Sequence, residues 1–90
     1  MEYFEKYQNM IDDEVEGAME YANLYCEMKD SKPQEAKEIK EIAMQEIEHY
    51  MVLTDIAKEM IEDESIEMLF NYLHKRNNKK IASIKMMLAM

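Results

Sequence analysis

Three observations predict an all-α fold. The 90 residues include one glycine and one proline, which leaves almost no turn chemistry for a sheet. Glu, Lys, Met, Ile and Ala dominate the composition, and all of them are good or tolerable in helices. Apolar residues also recur at alternating steps of three and four along two long stretches, the period of a helix stripe packed against other helices. The expected architecture is an antiparallel two-helix hairpin over residues 1–62, followed over residues 63–90 by a short C-terminal helical segment and a basic tail. A chain this short buries only about 60–65% of its unfolded surface, so association with another copy is an expected source of core.

The first helix is expected over residues 2–29, ending at Asp30-Ser31-Lys32-Pro33. Pro33 suits the first turn of a second helix, where its missing N–H is not needed, and Ser31 with Gln34 has capping-box spacing. That second helix runs to residue 61 or 62, and so short a connection makes the two antiparallel neighbours. A third helix follows Asp63, with Ile66, Leu69, Phe70 and Leu73 at i, i+3, i+4, i+7 and Asp63 or Ser65 as its cap; no Gly or Pro forces a break there, so the alternative is that the second helix continues. The Asn77-Asn78 pair is expected to end it. Residues 79–90 then read as a short amphipathic helix or tail with Ile81, Ile84 and Leu88 on one side. His74 falls near that expected end, as a helix C-terminal cation or surface residue.

Both long stripes are interrupted by polar residues at one level. The first runs Phe4, Tyr7, Ile11, Glu14, Ala18, Tyr21, Tyr25, Met28; the second runs Ile39, Ile42, Glu46, His49, Leu53, Ile56, Met60. Every member is apolar or aromatic except Glu14, Glu46 and His49. A charge on a core stripe costs free energy unless it is paired or bound to a metal. With the turn centred near residue 31, Glu14 falls opposite residue 48, which Glu46 and His49 bracket. At ~1.5 Å rise per residue the mismatch is within one turn, so the three side chains should converge halfway along the hairpin. Glu48 lies off this stripe, and with Asp13, Glu16 and Glu20 it reads as a solvated acidic face.

Glu46-Ile47-Glu48-His49 is a Glu-x-x-His pair on one helix face. With Glu14, and with Tyr21 seven residues further on, the pattern resembles the ferritin-like di-iron carboxylate proteins, among them ferritins, rubrerythrins and encapsulated ferritins, whose site takes one Glu from each of two helices and Glu-x-x-His from the other two. The resemblance covers roughly residues 4–60. It implies that Glu14 is a terminal carboxylate, Glu46 a bridging one, His49 the nitrogen ligand, and Tyr21 a near-site aromatic. One chain carries half the set. A two-fold dimer would complete it as a ferritin-like four-helix bundle and bury both stripes, an arrangement most similar to the short, dimerising encapsulated ferritins and their rings of dimers. Carboxylates and imidazole suit Fe(II) and Mn, and also take Zn. The resemblance implies a ferroxidase: oxidation of Fe(II) by an oxygen species, in iron handling or storage.

Two other readings stand beside it. One is a non-catalytic helical interaction or assembly protein whose buried acids serve specificity. The other is peroxide reduction of the rubrerythrin kind, although the chain lacks the cysteine pairs of an electron-delivering rubredoxin module. The single Cys26 excludes an intrachain disulfide, fits a reducing cytosol, and reads as a partly buried, inert thiol. The acidic start is neither a signal nor a transit peptide, and no apolar run approaches the ~20 residues of a membrane span, so a cytoplasmic protein is expected.

Charge is unevenly distributed. Residues 1–67 hold all 20 acids against six bases, a net of −14, whereas residues 68–90 hold five bases and no acid. An acidic body attracts cations and repels nucleic acid, and five tail charges make too short a patch to expect nucleic-acid binding. The tail is suited to an acidic surface such as a neighbouring subunit. Its Ile81-Ala82-Ser83-Ile84-Lys85 is loosely similar to the Ile-Gly-Ser-Leu-Lys peptides that direct cargo into encapsulin shells, with Ala82 in place of glycine. That likeness implies an encapsulin shell as a partner for residues 79–90; the alternative is a helix packing on a neighbour.

Overall fold

A computed structural model describes residues 2–90, the side chain of Glu2 excepted. Three helices account for nearly all of it: α1 (Glu2–Met28), α2 (Pro33–Glu59) and α3 (Glu64–Ala89). α1 unwinds through Lys29 N–H to Tyr25 O (2.9 Å) and Lys32 N–H to Met28 O (2.7 Å). Pro33 occupies the first turn of α2, as expected. The Ser31–Gln34 capping box does not form: Lys32 is the N-cap and provides no side-chain bond. With Lys32 as the N-cap, Ser31 stands one residue before the capping position, and Pro33 at N1 has no N–H to satisfy. Asp63 caps α3, its Oδ1 accepting from Ile66 N at 2.9 Å.

α3 runs parallel to α1 and antiparallel to α2. Phe4 meets Phe70 (ring centroids 6.3 Å), Asp12 meets Asn77, and Cys26 meets the Met87 carbonyl, so contacts climb both helices together. All three helices share one core, with Phe4, Ile11, Ala18, Ala43, Ile47, Tyr50, Phe70 and Ile84 among its buried side chains. Cys26 is half-buried, as expected, and its thiol lies 3.7 Å from the Met87 carbonyl oxygen. Among the described residues, no helix is long and apolar enough to cross a membrane.

Four expectations need correction. α3 does not stop at Asn77-Asn78 but continues unbroken to Ala89, so residues 79–90 are neither a separate helix nor a free tail. Asn77 is 2% exposed and donates from Nδ2 to Asp12 Oδ1 at 3.1 Å, while Asn78 Oδ1 accepts from the Tyr50 hydroxyl at 2.6 Å. Each such bond is worth about 1 kcal/mol or more, enough to outweigh the few tenths that Asn loses in a helix. His74 is consequently mid-helix, stacked on Phe70 at 5.5 Å and hydrogen-bonded with Asn78.

The last correction concerns the core side of α2. Its buried residues are Ala36, Ala43, Ile47, Tyr50, Thr54 and Ala57, not the expected Ile39–Met60 stripe, which is only half-buried, with His49 exposed. α3 causes the difference by packing on the opposite flank of the hairpin. Ile81, Ile84 and Leu88 are buried in this chain's own core. A shell-directing peptide would have to withdraw these side chains from it.

Candidate metal centre

α1 presents different residues to its two flanks. Phe4, Asp12 and Cys26 meet α3, whereas Tyr7, Glu14, Tyr21 and Tyr25 lie on the half-buried side turned away from it. The corresponding side of α2 carries Ile42, Glu46, His49, Leu53 and Ile56. The antiparallel register sets Glu14 level with Glu46 and His49, and each of the three offers a ligand atom within 4.8 Å of the others. Opposed donors on one divalent ion are about 4.2 Å apart, given ~2.1 Å bonds. Side-chain adjustments of under about 1 Å would therefore close this triad on a cation.

The three groups differ in their surroundings. Glu14 is 24% exposed in its side chain and His49 is 59% exposed, with His49 Nδ1 3.4 Å from Glu14 Oε2. In a single chain the site is thus an open flank and not the closed core expected from the stripe. Glu14 Oε2 itself is enclosed and has no hydrogen-bond partner among the described residues. A buried acceptor left in that state costs about 1–3 kcal/mol. Protonation of Glu46 is one remedy, because its proton can be given to Glu14. That hydrogen bond, then burial, then repulsion from the Glu14 charge push the Glu46 carboxyl up to about 7, with His49 pulling the other way. A cation between the carboxylates is the other remedy, and the donor set suits one.

Gly17 explains how Glu46 reaches this position. A Cβ at residue 17 would stand 2.8 Å from Glu46 Oε2 and 3.5 Å from its Cδ. The single glycine of the chain lies three residues after Glu14, on the same helix face, and leaves room for the carboxylate. A lone mid-helix glycine costs about 1 kcal/mol relative to alanine, and that cost was the signal in the sequence that this position serves a close approach.

Tyr21 does not join the cluster. It is half-buried against the core, and among the described residues its hydroxyl bonds to none of the three candidate ligands. Two helical turns, about 10.5 Å, separate it from Glu14. Glu48, Asp13, Glu16 and Glu20 are exposed, as the stripe implied. A cavity of about 270 Å³, lined by Met10, Glu14, His49, Val52 and Leu53, opens beside the triad and gives it an apolar wall. The sequence pattern did not single out Met10 and Val52, because both lie one position off the apolar stripes.

No family model, curated protein or solved structure matches this chain.

Proposed function

We propose that this chain is a ferritin-like iron-oxidising protein whose metal centre is built by two copies across a two-fold axis. The supporting observation is the convergence of Glu14, Glu46 and His49 within 4.8 Å on the flank that α3 leaves uncovered. Enclosure of the unpartnered Glu14 Oε2 adds to it. A second copy placed face to face would bury the half-covered Ile39, Ile42, Leu53 and Ile56 side chains. It would also bring a second triad to the first, giving four carboxylates and two imidazoles, which nearly balance two divalent ions.

Iron held by Glu14, Glu46 and His49 would supply an Fe(II)/Fe(III) couple for the reduction of dioxygen or peroxide; Mn would fit the same donors, and Zn would occupy them without redox chemistry. The protein's own contribution is positional. Glu46 is held against Gly17 where it can face both copies, Glu14 offers an enclosed oxygen, and His49 binds from the rim. The neighbouring Met10, Val52 and Leu53 keep water from the carboxylates once the flank is covered. Tyr21 lines the same flank and contributes to the copy–copy contact.

The test is metal content with solution mass. One ion per chain in an even-numbered oligomer is expected, with oxygen uptake on adding Fe(II). Glu46→Ala and His49→Ala should abolish both the bound ion and the oxygen uptake. Unchanged metal stoichiometry in these variants would remove the site assignment. A second reading is favoured by Glu46 itself: near neutral pH its proton can satisfy Glu14 without metal, as in a non-catalytic assembly protein. That reading requires no tight ion and no oxygen uptake.

A further inference from the structure

The outward side of α3 repeats the alternating four- and three-residue step on a second stripe: Met68, Tyr72, Lys75, Lys79, Ala82, Met86. All six are exposed, Met68 at 73%, Tyr72 at 66% and Met86 at 70%. They lie opposite the buried stripe of Ile66, Phe70, Asn77, Ile81, Ile84 and Leu88, so the core has no use for them. Helix-length apolar repeats of this step are what a second helix packs against. The stripe is apolar at both ends and cationic in the middle, where Tyr72, Lys75, Arg76 and Lys79 line a groove of about 330 Å³. Arg76 already approaches Asp12 at 3.8 Å, whereas Lys75 and Lys79 have no ion-pair partner among the described residues. No acid lies anywhere in residues 68–90.

A matching surface exists on the same molecule. Between residues 7 and 28, α1 has six acids and no base. Asp13, Glu16 and Glu20 stand exposed on its outward side at the same three- and four-residue steps. That side is turned from both α3 and the Glu14–His49 flank. We propose that the α3 stripe docks on the acidic outward face of α1 in a second copy, with Lys75 and Lys79 against Asp13, Glu16 and Glu20 and the Met68, Tyr72 and Met86 side chains covered at the ends. The two surfaces are different, so the contact is head-to-tail and extends the assembly beyond a pair. It leaves the flank with the carboxylates free, and the two contacts can coexist.

Sedimentation velocity from about 0.05 M to about 0.5 M NaCl tests this, since the screening length shortens severalfold toward high salt. Apparent mass at low salt is expected to be about twice that at high salt or more. Lys75→Glu with Lys79→Glu should abolish the salt-dependent step while keeping metal per chain unchanged, which separates it from failure of the metal-centred pairing. Mixing this variant with Asp13→Lys/Glu16→Lys/Glu20→Lys should restore the larger species. Lys75→Gln with Lys79→Gln is the milder substitute should the reversal disturb helicity. Mass independent of salt and of these substitutions, or no restoration on mixing, overturns the proposal. So does salt-sensitive binding of anionic vesicles or duplex DNA through the same lysines without self-association.

Discussion

Gly17→Ala separates the stability of the fold from the integrity of the site. In a helix interior the substitution should stabilise by about 1 kcal/mol, because alanine loses less backbone freedom on folding. In a domain of this size that corresponds to about 4–8 °C in Tm. The new methyl, however, falls 2.8 Å from Glu46 Oε2. Relaxing that contact to about 3.4 Å moves the carboxylate by about 0.6 Å. Metal–ligand distances tolerate only about 0.2 Å, and the methyl takes up space that Glu46 needs for the adjustment that closes the triad on a cation. A weakening of metal binding by about 10- to 100-fold is expected, as for other perturbations of ligand placement. Thermal unfolding of the metal-free protein, set beside chelator competition with Mn(II) or Zn(II), reads both quantities. The expected pattern is a Tm unchanged or raised with affinity lowered. Wild-type affinity in Gly17→Ala would show that Glu46 does not bind in the position described, and a lowered Tm would show that Gly17 serves packing instead.

Glu46 and Asn77 give the remaining outcomes. Glu46 is raised from 4.5 to about 7 in the folded chain, so between those values the folded state holds more proton than the unfolded one. The metal-free protein should therefore keep the full benefit of this group below about pH 4.5 and lose it as pH rises through about 7. Glu46→Gln should flatten that part of the stability–pH curve, which urea titrations across the range will read, and metal affinity in the parent should fall by about tenfold per pH unit below 7 as the proton competes. Asn77→Ala removes the buried donor to Asp12 and opens a gap between α1 and α3. A loss of about 2 kcal/mol in chemical denaturation is expected, and a loss under about 0.5 kcal/mol would mean that the Asn77–Asp12 bond does not hold α3 in place.

Much of this was legible from the residues. Pro33 marked the start of α2, and the short connection made the hairpin antiparallel, which alone puts Glu14 beside Glu46 and His49. The ends of the chain's helices were harder to read. Asn77 and Asn78 are weak helix formers, and their partners Asp12 and Tyr50 lie far away in sequence. Local propensity contains no information about such bonds. The same gap misplaced His74, which stands mid-helix because α3 continues and is stacked on Phe70 and Tyr50.

The alternating apolar step determined that there would be long helices with packing faces, and the spacing of three polar residues determined which side chains meet. Only the tertiary structure decided which face of each helix is covered. α2 carries two apolar stripes side by side, one through Ala43, Ile47 and Tyr50 and one through Ile42, Leu53 and Ile56. Periodicity assigns both to packing without naming a partner, because burial depends on what lies across the interface and not on the stripe itself. α3 covers the first, where Tyr50 meets His74 and Asn78 and the stripe shares one core with Phe70, Ile81 and Ile84. The second was left at the surface with Glu14, Glu46 and His49 among its neighbours.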